Sequence, residues 1–462
     1  MQMMTEALKH LARLAIAAFV VFVMVTCSPG FVAASPVNRD AVMNRPAHPA
    51  LISARAQQSV ATGGGIPFSQ AVSDLGSSDP RIRLRAVRLL KDAAYPEAAI
   101  PLAKAVTDQQ DEVQFEAIAA ELNIFLAEPV VTHKRVGFVV ELRKSVLAEP
   151  LFAAGPSVLG SRAVPLEVLT ALRTIIRDKN PRVGLEALYA FGVLGVQPVG
   201  ATRAELLSTS GPDLAGLLGS PDPTFRYAAV RVIERVYAKR PDDRALDRVV
   251  GDGLIATLND RDRTIRIEAT ETLGTVGYEQ AVPALTQQFQ YNRKNDLALA
   301  SLDALARLAQ SSSEPLFVDE LSSKTAAIRS VAIEGLARLH DKARLSDIQS
   351  ALALERNDSV QLAGAFALAM LSDASLDRIA EALVAPRSRD QARQYLIDLA
   401  PGRLQALTPY LQDPDARIRE DVIEAIARSG ETGGRGLLEP LVNDHDPVVA
   451  RAAERALMQI RP

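Results

Sequence analysis

From residue 66 onward, apolar side chains recur at steps of four, each series opening on a small polar residue. Counting from Asp262, the apolar positions are Ile265, Ala269 and Leu273. Steps of four stack side chains on one stripe of a helix, so the spacing predicts an amphipathic helix that starts just after Asp262. The same template opens at Asp79 (Ile82, Ala86, Leu90), Asn180 (Val183, Ala187, Phe191) and Asp222 (Phe225, Ala229, Ile233). It opens again at Thr325 (Ile328, Ala332, Leu336), Asn357 (Val360, Gly364, Leu368), Asp415 (Ile418, Val422, Ile426) and Asp446 (Val449, Ala453, Leu457). Looser copies begin at Gln110 (Val113, Ala117, but Glu121) and Asn295 (Ala298, Leu302, Ala306). The openings are about thirty to forty residues apart, and the two long gaps, 110 to 180 and 357 to 415, each leave room for one degraded copy.

A second helix belongs to each unit. "YEQAVPALTQQF" (278–289) follows Gly277 with Val282, Leu285 and Phe289 at helical spacing, and "PEAAIPLAKAV" (96–106) and "GGRGLLEPLV" (433–442) repeat the arrangement. Proline near a helix start removes an N–H that has no intrahelical partner, and glycine suits the end of the helix before it. A two-helix unit of this size cannot bury its stripes alone, so neighbours must stack. The expected fold is all-α: a right-handed α-solenoid of about twelve helix pairs.

"DRDRTIRIEATETLGTVGYEQAVPAL" (260–285), "SPDPTFRYAAVRVI" (220–233) and "DPDARIREDVIEAIARSG" (413–430) resemble the HEAT-like repeat of the phycobilisome-lyase type, a short bacterial form of HEAT repeat. The resemblance covers most of residues 66–462. It implies a surface for other proteins, with the second helix of each pair lining a concave face. It also implies an alternative: some arrays of this type are enzymes or chaperones that hold a bilin and attach it to a partner. Those work in the cytoplasm, and the N-terminus here reads differently.

Lys9 and Arg13 precede Leu14–Thr26, a mostly apolar run of 13 residues. A helix of that length spans about 20 Å, short of the roughly 30 Å hydrocarbon core, and suits a signal peptide. Val32-Ala33-Ala34 predicts cleavage before Ser35, giving a leader at 1–34 and a flexible linker at 35–65. A competing reading lipidates Cys27, the single cysteine, although Thr26 before it departs from the usual lipobox; that version makes the protein a lipid-anchored component of an envelope assembly complex. Either route exports the chain to the periplasm or another extracytoplasmic space, with no transmembrane segment left after cleavage.

Composition narrows the chemistry. Hydrophobic residues are 48%, charged residues 23% and the net charge −3, which fits a folded protein and lacks the basic footprint that nucleic acid demands. His10, His48, His133, His340 and His445 have no ligand spacing, and no nucleophile-elbow, zinc-protease or phosphate-loop motif occurs. The reading is therefore no enzyme, no cofactor and no metal, with one or more proteins as partners.

Arginine sits four residues after the opening aspartate in four copies: Asp79 and Arg83, Asp222 and Arg226, Asp262 and Arg266, Asp415 and Arg419. Recurrence at fixed phase makes this a structural ladder: the aspartate caps its helix, and the arginine pairs with acids in the same or the next repeat. Partner contacts are expected where regularity breaks. The clearest break, 128–165, is an irregular insertion or degraded repeat between repeats at 66–127 and 166–462; it offers His133, Lys134, Arg135, Phe152 and Leu159. Residues 199–213 read as an extended connection and 238–253 as a lengthened one, and Tyr237 and Tyr291, near helix ends, are candidate contact aromatics.

Overall fold

A computed structural model gives the protein's structure and describes residues 66–126, 162–240, 243–292, 295–372 and 374–460. The account below concerns the unit that begins at Ile66. Its first helices are α1 (Phe68–Asp74), α2 (Pro80–Ala93), α3 (Ala99–Val106), α4 (Asp111–Phe125), α5 (Leu166–Thr174), α6 (Pro181–Leu194), α7 (Gly200–Leu218) and α8 (Pro223–Tyr237). There follow α9 (Arg248–Thr257), α10 (Arg263–Thr275), α11 (Val282–Tyr291), α12 (Asp296–Leu308), α13 (Glu314–Glu320), α14 (Ala326–Arg338), α15 (Leu345–Leu352) and α16 (Asp358–Ser372). The last are α17 (Asp377–Ala382), α18 (Arg389–Leu399), α19 (Leu404–Leu407), α20 (Ala416–Ser429), α21 (Gly434–Leu438) and α22 (Pro447–Gln459). The fold is an all-α solenoid: the described residues hold eleven pairs, each an odd-numbered helix followed by an even-numbered one.

The even helices are those of the template. Ile265, Ala269 and Leu273 of α10 are buried, as are the matching Ile418, Val422 and Ile426 of α20. Each even helix packs on the next, from α2 to α22, and the odd helices α3, α5, α7 and α9 also pack in succession. One hydrophobic cluster therefore runs from Ala71 to Ile460, built mainly from alanine, leucine, valine and isoleucine. The gap between Asn357 and Asp415 holds the degraded copy as α18, whose Ala392, Tyr395, Leu396 and Leu399 are buried. Its partner-gap copy between 110 and 180 lies outside the described residues for most of its length.

Two irregular stretches differ in kind. Residues 199–213 are not an extended connection: Gly200–Leu218 forms one helix of 19 residues with Pro212 inside it. Arg203, Leu206, Ser210, Leu214 and Leu217 fall on one stripe and are buried, and that burial outweighs the hydrogen bond lost at Pro212. After α8, the lengthened segment is fastened by buried Arg203, which forks onto Asp243 at 2.7 Å twice and donates to the carbonyls of Val236 at 2.9 Å and Ala238 at 3.0 Å.

Even helices commonly stop on a left-handed residue about fifteen positions after the cap. Gly277 and Gly430 adopt φ of 69° and 70°, and Ala94, Ala309 and His340 adopt 48°, 48° and 56° at the matching place. Glycine takes this conformation freely; a side chain there costs roughly 1 kcal/mol.

Candidate functional site

The turns between the helices of a pair are tied by a repeated polar device. Eight opening residues (Asp79, Asn180, Asp222, Asp262, Asn295, Asn357, Asp415 and Asp446) accept a hydrogen bond from the backbone N–H two residues on, at 2.8–3.1 Å. Gln110 and Thr325 give no such side-chain cap. Two residues before the cap stands an acid that itself accepts from the cap's N–H: Asp108, Asp178, Asp260, Glu355, Asp413 and Asp444, at 2.8–2.9 Å.

The arginine four residues after the cap joins one turn to the next. Arg83 forks onto Asp108 at 2.6 and 2.8 Å, Arg226 onto Asp260 at 2.6 and 3.0 Å, and Arg419 onto Asp444 at 3.0 and 2.8 Å. Its remaining nitrogen, Nη1, donates to the carbonyls two and one residues before its own cap: Ser77 and Ser78, Ser220 and Pro221, Asp413 and Pro414. Arg266 makes the same contacts to Asp260 and Arg261. Arg329 belongs to the series too, donating to Ser323 and to Glu355 at 2.7 Å, and it holds the Glu355 carboxyl down at about 2. Arg419 likewise holds Asp444 below the usual carboxylate range. Every member of this ladder is engaged inside the chain.

A second row of charge lies across the even helices. Arg88 and Lys91 of α2 meet Glu116 of α4, and Arg231 of α8 meets Glu268 of α10 at 2.6 Å and Glu234 at 2.7 Å. On α12, Arg307 pairs with Asp303 at 2.8 Å. Arg338 of α14 pairs with Glu334 at 3.2 Å and reaches Asp398 of α18 at 2.8 Å. Arg389 and Arg393 of α18 reach Asp421 of α20, and Arg393 and Arg428 share Glu424.

The row passes through a buried hub. Phe366 of α16 stacks on Tyr395 of α18 with ring centroids 4.3 Å apart, and the Arg338 guanidinium lies 5.3 Å from the Phe366 centroid on its face. The Tyr395 hydroxyl donates to Glu334 and accepts from Gln391. Burial, then the neighbouring Glu334, pushes the Tyr395 phenol well up, so it stays a donor.

Two carboxyls stand apart. Glu121 is fully buried on α4 with neither oxygen hydrogen-bonded, and burial pushes its carboxyl well up. Glu271 on α10 is half-buried; burial and the nearby Glu268, Glu234 and Asp303 push it up to about 7.

Tyr237 is not a surface contact. It is 4% exposed, its hydroxyl donating to the Leu207 carbonyl at 2.8 Å and lying 2.8 Å from Ser210 Oγ, because α7 closes over it. Tyr291, at the end of α11, is 89% exposed. His133, Lys134, Arg135, Phe152, Leu159 and Cys27 lie outside the described residues. The resemblance implies a contact face on the odd helices; the charged row gathers on the even ones, which pack in unbroken succession from α2 to α22. Among the described residues no group of three His, Cys, Asp or Glu is placed to hold a metal, and no helix is long and apolar enough to cross a membrane.

The acid two residues before six of the opening residues was missed, although its fixed spacing displays it. Arg203 was missed as well; a lone arginine between loop and helix carries no such signature.

A family model described as HEAT repeats matches residues 211–306. No curated protein matches the chain. Among solved structures, an engineered protein is similar at 19% identity and a TM-score of 0.40, covering 86% of this chain and 99% of that one. Kap121p is similar at 14% identity and a TM-score of 0.37, covering 84% of this chain and 45% of Kap121p.

Proposed function

We propose that this chain, a HEAT-repeat protein, is an exported scaffold or adaptor that binds another protein across the face of its even helices. The observation that carries the reading is the row of charged side chains from Arg88 to Arg428, laid over a fold of a kind that typically serves as a protein-binding scaffold. Spaced charges on a stiff stack give register and specificity without a pocket. Export rests on the basic and apolar leader at 1–34, and the finer assignment to the phycobilisome-lyase type of repeat rests on the quoted segments such as 260–285.

The test is photo-crosslinking in cells, with the reactive group placed at Glu424 and, as a control, at exposed Leu354. One recurrent protein captured from Glu424 and not from Leu354 supports the scaffold. No recurrent protein from either, or turnover of a substrate by the purified chain alone, overturns it. The mass of the mature N-terminus separates cleavage before Ser35 from lipidation at Cys27.

A further inference from the structure

One joint of the arginine ladder keeps its acceptors and loses the end of its donor. Where the fork is whole, the same contacts recur. Nε bonds Oδ2 of the next unit's acid and Nη2 bonds Oδ1, from Arg83 to Asp108, Arg226 to Asp260 and Arg419 to Asp444. Nη1 bonds the carbonyls two and one residues before the cap. In the unit that opens at Gln110 the fourth position is Gln114, whose Nε2 donates to Asp178 Oδ2 at 3.2 Å. That atom takes the place of Nε on the same carboxylate oxygen, and the side chain ends there. The carbon and two nitrogens that complete a guanidinium are missing.

The acceptors for that missing end remain. Asp178 Oδ1 takes the backbone N–H of Asn180 at 2.8 Å and no side-chain donor among the described residues. The carbonyls of Asp108 and Gln109, which correspond to Ser77 and Ser78 in the first joint, accept no hydrogen bond among the described residues. Gln114 is 3% exposed, and its Oε1 accepts none either. A cavity of about 540 Å³ opens beside these groups, lined by Asp108, Gln109, Gln114 and Asp178 together with Thr174 and Lys179. That volume falls in the range, roughly 300–1,000 Å³, of sites that hold small molecules. Lys179 is exposed and forms no ion pair with Asp178. Other joints without the arginine differ. After Asn180 and Asn295 the fourth positions are Gly184 and Leu299, and Ser220 and Ser323 stand where the acid belongs. Asp413 keeps the acid but follows Ala392, so no part of a fork is made there.

We propose that the joint between Gln114 and Asp178 is a binding site for a guanidinium group, carried by arginine either free or within a polypeptide. The guest supplies the missing end of the fork. One nitrogen donates to Asp178 Oδ1 and a second to the carbonyls of Asp108 and Gln109; the third, which carries the arginine stem, donates to Gln114 Oε1. An ammonium group lacks the plane that matches these acceptors, so lysine binds more weakly. The site belongs to the turns and does not rest on the scaffold reading.

The probe is Nα-acetyl-arginine methylamide, titrated into the full chain at constant ionic strength beside the matching lysine derivative and followed by saturation-transfer difference NMR. The expected result is saturable binding of the arginine derivative, strongest at the protons next to its guanidinium, with the lysine derivative about tenfold weaker. Gln114→Arg supplies the missing end from within, and is expected to melt at a higher temperature and to bind about tenfold more weakly. Asp178→Asn keeps the shape and removes the charge, and is expected to weaken binding to a similar degree. Thermal melts establish that both variants are folded. Undiminished binding by Gln114→Arg, equal binding of the two derivatives, or no saturation with the wild-type chain overturns the proposal. Free L-arginine assigns the source: tighter binding than the methylamide identifies the amino acid, and weaker binding identifies an arginine within a polypeptide.

Discussion

The unit that opens at Asp415 and the unit that opens at Gln110 obey one template unequally. In the first, Asp415 caps α20, Arg419 forks onto Asp444, and Ile418, Val422 and Ile426 fill the stripe. In the second, Gln110 gives no cap, Gln114 stands where the arginine belongs and makes one bond to Asp178 at 3.2 Å, and Glu121 takes the place of the third apolar residue. Both are helices in the same stack. What each position contributes is thus separable, and a unit short of three contributions survives because its neighbours on both sides supply interface.

The largest way to break the comparison is Arg419→Ala. It strips the fork from Asp444 and a donor from two carbonyls, in a place where arginine and aspartate are nearly hidden, and is expected to cost about 3 kcal/mol in urea unfolding. Glu121→Leu should sharpen it from the other side, stabilising by about 2 kcal/mol at pH 7. The sign follows from linkage. The buried carboxyl titrates above its unfolded value, so the native state carries a penalty that grows as pH rises past the unfolded value and fades below it. The gain from Glu121→Leu is therefore expected to shrink toward pH 4, which melts of both proteins across pH 4–8 will read.

Smaller effects follow at the helix ends. Asp415→Ala should cost about 1 kcal/mol, and Gln110→Asp should gain a similar amount, both read as shifts in the chemical denaturation midpoint. Ala94→Gly relieves a left-handed alanine and is expected to add roughly 0.5 kcal/mol, resolved by differential scanning calorimetry.

Much of this was legible in the sequence because the template is local. Ile265, Ala269 and Leu273 announce α10 by spacing alone, and an aspartate directly before such a run reads as its cap. The α18 copy was legible only as a gap, since Ser388 opens it and its side chain makes no cap bond to the helix. Tyr237 shows the limit: an aromatic at a helix end is equally at home in core or surface, and the covering helix α7 was itself hidden behind Pro212. Pairs such as Arg231 with Glu268 depend on the offset between stacked helices, which no single repeat encodes.

The arginine fork also gives the stack a grain. At four joints the guanidinium belongs to the earlier unit and the carboxylate to the later one, so these bricks meet a positive trailing edge to a negative leading edge. Units that carry both the arginine and the acid can be duplicated or deleted in frame and still meet plus to minus. A unit set in backwards would meet like to like, so such an array grows and shrinks by copying in one direction.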